Sequence, residues 1–178
     1  MKGMLYFRLR FFLVAICLAL GFLLHWMVGF MAALPAYLAG ILLLFSFLVL
    51  GTVGPAFARL RKGKIEEART LLGLTHFPNW LLKRHKAYYH FCYGMIDLQQ
   101  EKLQLAETHL LEATRLGLRN DNDQALASLN LAHIYYVTGK KEKSILWAAK
   151  AKAYDPNDLM ILEKLKELRS ALGMKDPA

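Results

Sequence analysis

The sequence predicts an all-α protein, with an N-terminal apolar helical hairpin followed by a domain of stacked helix pairs. Three observations carry this. Residues 11–58 contain no Lys, Arg, Asp or Glu. From residue 64 onward, apolar residues recur at helical spacing among charged ones, and no stretch alternates as a strand would. Finally, positions recur 38 apart, most of them small residues: Gly63, Glu101 and Gly139; Ala68, Ala106 and Ser144; Gly94 and Ala132. A fixed period of that size is the mark of stacked helical hairpins.

The uncharged run comes first. As one helix it would be about 72 Å long, more than twice the ~30 Å of bilayer hydrocarbon, so it must cross twice. Gly29 can end a helix and Pro35 can start one, which puts the break at residues 29–36. The expected spans are residues 11–28 and 36–53. His25, Trp26 and Tyr37 should flank the turn, and Trp and Tyr favour the membrane–water interface. Lys2, Arg8 and Arg10 precede the first span, and Arg59, Arg61, Lys62 and Lys64 follow the second, with no basic residue at the tip. Positive charge stays on the cytoplasmic side, so both termini are expected there. A cleaved signal peptide is the rival, but residues 32–34 and 33–35 lack the small-x-small pattern that cleavage needs. The short hairpin without extensions suggests a bacterial inner membrane. Gly21, Gly29, Gly40 and Gly51 would permit close helix approach.

Charge divides the chain in the same way. Of 178 residues, 56% are hydrophobic and 21% charged, with 23 Lys+Arg against 14 Asp+Glu. All 14 acidic residues follow Gly63, and six of the basic residues precede it. The basic pI therefore reports the brackets around the apolar run, and nucleic-acid binding is not called for. The length excludes a large multidomain enzyme.

Residues 59–178 form the expected second domain, beside a hairpin domain of residues 1–58. Helices are expected at residues 65–72, 79–99, 102–116, 123–138, 141–154 and 158–172. Gly73, Gly117, Gly139 and Pro156 supply stops, Pro78 a break, Asn157 an N-cap, and Gly173 the end of the last, capping helix.

These pairs resemble the tetratricopeptide repeat (TPR) family, whose unit reads W-x2-L-G-x2-Y, then A-x3-F, then P. One unit offers Ser128, Leu131, Ala132, Tyr135, Ser144, Ala148, Ala151 and Pro156. The preceding one offers His90, Tyr93, Gly94, Asp97, Ala106, Leu110 and Ala113, and the earliest offers Gly63, Ala68 and Leu72. The spacing is 38 where the family has 34, with the extra residues near 119–123. The resemblance implies a right-handed stack of helix pairs, and for the earliest unit a first helix from about residues 51–62, bent near Pro55. It also implies a groove lined by each unit's first helix. Carried over position by position, that groove would hold Tyr88, Phe91, Met95, Leu98 and Gln99, then Leu126, Leu129, Asn130, His133 and Tyr136. The face is apolar and aromatic, with Leu129 where carboxylate-clamping grooves place Lys, so an apolar helix, a peptide or a second copy is the expected guest. The plainer alternative is that these side chains pack between helices.

Trp80 with Lys83, Arg84 and Lys86 suggests contact with anionic lipid head groups. His85, His90 and Cys92 do not share one helix face, so no metal site is expected. Cys17 and Cys92 form no C-x-x-C pair. No phosphate loop, nucleophile elbow or H-E-x-x-H occurs. The residues thus point to a non-enzymatic, cofactor-free, membrane-anchored adaptor or scaffold. The alternative is a structural subunit of a larger membrane complex, packed through its two spans.

Overall fold

The computed structural model describes the backbone of residues 2–50 and 52–174, and the side chains of residues 12–46 and 52–174. Among the described residues the fold is all-α. The helices are α1 (Lys2–Met27), α2 (Phe30–Leu50), α3 (Val53–Leu60), α4 (Ile65–Gly73), α5 (Lys83–Gln99), α6 (Leu103–Leu116), α7 (Asp121–Val137), α8 (Lys141–Ala153) and α9 (Leu159–Ala171). The chain divides into two compact units, Met1–Leu82 and Lys83–Ala178.

In the N-terminal unit, α1 packs against α2. Their connection is tighter than the expected residues 29–36. Val28 N and Gly29 N both donate to Leu24 O, at 3.0 and 3.2 Å, and Gly29 turns the chain at φ +110°. α2 then begins at Phe30 and carries Pro35 inside it. The physical reason is economy of backbone bonding. Continuing the helix keeps the polar backbone of residues 30–34 paired within an apolar segment, at the loss of the one N–H that proline lacks. Tyr37 does not flank the turn either. Its ring lies over Gly21, where an added Cβ would sit 2.7 Å from Tyr37 Cε1. Gly40 likewise admits Leu18, at 3.2 Å from such a Cβ. Both glycines therefore serve contacts inside the hairpin. Gly29 serves the turn, and Gly51 lies outside the described residues, as do the side chains of Lys2, Arg8 and Arg10. Among the described residues no helix is long and apolar enough to cross a membrane.

α3 pairs with α4. Pro55 falls in the first turn of α3, where its missing N–H costs least. Thr52 and Thr75, both buried, staple the two ends: the Thr52 hydroxyl donates to Leu71 O, and the two hydroxyl oxygens lie 3.0 Å apart. Arg59 Nη1 reaches Glu67 Oε2 at 2.6 Å, and Lys64 Nζ reaches Oε1 at 2.9 Å. The hydrogen bond from Lys64, then the charges of Lys64 and Arg59, hold the Glu67 carboxyl below its ordinary range.

The expected helix over residues 79–99 is two pieces. A 3-10 turn spans Pro78–Trp80, Leu81 adopts an extended conformation (φ −62°, ψ 141°) that buries its side chain, and α5 starts at Lys83. The N-cap of α9 is Asp158, not Asn157: its Oδ1 accepts from Met160 N at 3.0 Å. Asn157 N instead donates to Asn122 Oδ1 at 2.8 Å.

In the C-terminal unit α5 pairs with α6, α7 with α8, and α9 packs on both α7 and α8. The 38-residue spacing is a conformational repeat. Gly63, Glu101 and Gly139 are left-handed, at φ 69°, 58° and 73°. The next residues, Lys64, Lys102 and Lys140, share φ −90 to −83° and ψ 65 to 72°. Each donates its N–H five residues back, to Arg59, Asp97 and Tyr135 O at 3.0, 2.9 and 2.8 Å. This is the same helix-ending motif three times over. It recurs 34 residues after Gly139, where Gly173 has φ 73° and Met174 N donates to Arg169 O at 2.9 Å.

Candidate partner-binding face

The face expected to bind a partner belongs to α5 and α7, and small residues set how these helices sit. A Cβ on Gly94 would lie 2.7 Å from Leu110 Cγ, so the glycine lets α6 close on α5. In the next hairpin the equivalent residues are Ala132 and Ala148, both buried, and Ser144 Oγ donates to Ala132 O at 2.8 Å. α7 is well started. Asn120 Oδ1 accepts from Asn122 N at 3.0 Å, and Asp121 and Asp123 complement the helix dipole.

The first helices of successive hairpins meet through several of the expected residues. Tyr88 OH donates to Asp123 Oδ2 at 2.6 Å. Burial, then the bond to that carboxylate, pushes the Tyr88 phenol up to about 12. Asn130 Nδ2 lies 3.3 Å from Met95 Sδ and donates to Leu126 O at 2.8 Å. Tyr88, Met95 and Asn130 are thus brought together at an α5–α7 seam, with Leu126 beside them.

Phe91 and Leu129 lie deeper beside them: the Phe91 ring meets Tyr88 edge-on at 6.4 Å, and Leu126 packs against the cluster that holds Leu129. Both are buried, and Leu129 packs in a cluster with Ala125, Ala132, Ile161, Leu165 and Leu168. They hold helices together and present no open surface, because neighbouring helices cover that edge of each stripe. His133 and Tyr136 are exposed on α7. Trp80, Lys83 and Arg84 are exposed as well, and Lys86 is half-buried.

A second cluster joins α5 to α6. His90 Nδ1 lies 3.1 Å from His109 Nδ1, the Tyr93 and His109 rings stack at 5.5 Å, and Tyr89 meets Tyr93 edge-on at 4.9 Å. His109 Nε2 is 3.8 Å from Asp97 Oδ2. Burial, then the neighbouring His109, lowers the His90 pKa. Along the helix His90 lies near His85 and Cys92, which do not share its face. The 19-residue separation of His90 and His109 spans a turn and leaves no mark in local spacing. Among the described residues, no three His, Cys, Asp or Glu side chains are grouped so as to hold a metal ion. Burial pushes the Cys92 thiol up to about 12, which keeps it protonated and unreactive.

No protein-family model, curated protein or solved structure matches this chain.

Proposed function

We propose that this chain is a membrane-anchored adaptor, in which the α1–α2 hairpin resides in a bilayer and the TPR-like hairpins of the C-terminal unit bind a protein partner. The observation that carries the reading is the outer surface of the hairpin. Phe22, Trp26, Leu42 and Phe45 are all exposed on it, Trp26 to 83%, and water rarely leaves so much large apolar surface uncovered. Lipid does, because hydrocarbon is its natural partner. With their ends counted, α1 has 26 residues and α2 has 21, about 39 and 32 Å, against ~30 Å of hydrocarbon. The basic flanks of the hairpin support cytoplasmic termini, in keeping with a bacterial inner membrane. Mechanism is then binding, not bond chemistry.

The partner surface supported best is the exposed rim of the first helices, His133 and Tyr136 with the seam of Tyr88, Met95, Leu126 and Asn130. Its apolar, aromatic character suits an apolar helix or peptide. The alternative, a structural subunit packed through its spans, loses part of its motive, because Gly21 and Gly40 are already used within the hairpin.

Membrane residence is tested by alkaline extraction of the full chain and by a reporter fused after Ala178. Release by alkali overturns residence, and reporter activity outside the cytoplasm overturns the orientation. The partner face is tested by co-purification with Tyr136→Asp and His133→Asp, which touch exposed positions and spare the core. A protein partner lost with these variants, at unchanged melting temperature, supports the rim. Retention of every partner refutes it.

A further inference from the structure

We propose that His90 and His109 form an acid-released latch that holds α5 against α6: the pair takes up one added proton and is forced apart by a second. Every residue concerned belongs to the C-terminal unit, and the latch works whatever the chain binds.

The two Nδ1 atoms lie 3.1 Å apart, so one ring donates its N–H and the other accepts. That bond exists only while at least one imidazole is neutral, because both nitrogens of an imidazolium are donors. The first added proton has a seat. His109 Nε2 faces Asp97 Oδ2 at 3.8 Å, and Asp97 is buried. With His109 Nδ1–H donating to His90, a proton on His109 Nε2 meets a carboxylate and leaves the bond to His90 in place. The second proton has only His90 Nδ1 to go to. There it sets N–H against N–H and cation against cation.

The surroundings resist that second proton. Lys86 on α5 and Arg115 on α6 add positive charge at His90, against the carboxylate of Glu112. Arg115 already holds Glu112 through two hydrogen bonds, at 2.6 and 2.7 Å. Toward α7, Asp123 accepts from Tyr88, and Glu107 accepts from Tyr135 with Lys140 Nζ 3.9 Å away, so those carboxylates are engaged elsewhere. Tyr89 meets His90 edge-on at 5.6 Å and Tyr93 stacks on His109, so aromatic rings brace both imidazoles. The pair also sits where the helices come closest. Gly94 is one turn on from His90, Leu110 follows His109, and a Cβ on Gly94 would lie 2.7 Å from Leu110 Cγ. Repulsion at the pair therefore acts on the α5–α6 packing itself, and α5 carries Tyr88 and Met95, which meet α7.

The test is hydrogen exchange of the full chain in nanodiscs, read by mass spectrometry at about pH 7.5 and about pH 5 and corrected for the intrinsic exchange rate. At the acid pH, residues 83–116 should lose protection by about fivefold or more relative to residues 121–153. His90→Gln keeps a side chain that hydrogen-bonds His109 without titrating, and should give that hairpin equal protection at both pH values. His85→Gln is the control. His85 lies on the same helix, its Nδ1 is buried without a partner among the described residues, and its loss should leave the acid response intact. In histidine-labelled NMR, His109→Gln should raise the His90 titration midpoint by about one pH unit. Equal protection of the wild-type hairpin at both pH values overturns the latch, and that comparison needs no substitution to fold. An acid response that survives His90→Gln or vanishes in His85→Gln overturns it too, as does a His90 midpoint unmoved by His109→Gln.

Discussion

Gly94 and Leu110 offer a quantitative test of how the repeated hairpins are assembled. Alanine at 94 would place a Cβ 2.7 Å from Leu110 Cγ, 2.9 Å from Cδ2 and 3.2 Å from the Leu110 backbone N. The leucine is fully buried, so its side chain has little room to yield, and the backbone N is held by α6. Overpacking of this kind costs about 1–3 kcal/mol, offset by about 1 kcal/mol of helix propensity gained over glycine. Gly94→Ala should therefore destabilise by up to about 2 kcal/mol, and Leu110→Ala, which opens a cavity, by about 2–5 kcal/mol. The next hairpin carries Ala132 and Ala148 at the equivalent positions, both buried. The double variant thus copies a pair that the fold already accommodates. It should lose less than the sum of the single losses, by about 1 kcal/mol or more. Thermal unfolding of the full chain in nanodiscs, followed by circular dichroism, reads this as about 4–8 °C per kcal/mol for a unit of this size. Strict additivity, or a full propensity gain from Gly94→Ala alone, would refute the close approach of α5 and α6.

Four further outcomes follow from named groups. Glu101 holds a left-handed turn at φ 58° that its counterparts fill with glycine, so Glu101→Gly should stabilise by about 0.5–1 kcal/mol, seen as a higher melting temperature. Ser128 is buried and its Oγ has no hydrogen-bond partner among the described residues. Ser128→Ala should leave stability unchanged or raise it by about 1 kcal/mol, and a clear loss in a urea melt would reveal a bond to the hydroxyl. The Tyr88 and Tyr135 phenols are raised from 10 to about 12, by burial first and then by the carboxylates of Asp123 and Glu107. Their contribution is full below about pH 10 and is lost as pH rises through about 12, so Tyr88→Phe/Tyr135→Phe should lose less stability across that range. His90 is shifted the other way, below 6.5. The stability that it lends is present above that value and is lost as pH falls below it, and His90→Gln should flatten the acid limb of the melting-temperature profile.

Gly117 and Gly139 mark helix ends because glycine turns left-handed at least cost, at φ 87° and 73°, while Gly73 closes α4 without a positive φ. The register of Gly63, Glu101 and Gly139 was legible as spacing, though nothing local announced that a glutamate would adopt the glycine conformation. Tyr88, Met95 and Asn130 were legible as one face only through the family resemblance, because spacing within a helix does not relate α5 to α7. The burial of Phe91 and Leu129 was not, since periodicity names a stripe and only the neighbouring helix decides which edge of it is covered. The passage of α2 through Pro35 was missed for a similar reason. Proline signals a break on average, and a run of good helix formers on both sides of it keeps its backbone groups paired by staying helical.

By itself the sequence determined the all-α class, the apolar hairpin, its basic flanks and the 38-residue period. All of these are carried by composition and by separations of a few residues along the chain. The tertiary structure alone decided that Gly21 and Gly40 serve the hairpin internally. It also decided that His90 finds His109 across a turn, and that Leu81 goes inward while Phe77 and Trp80 stay out. Each depends on which surfaces meet in space, and close packing resolves contacts to tenths of an ångström that spacing along a chain does not encode.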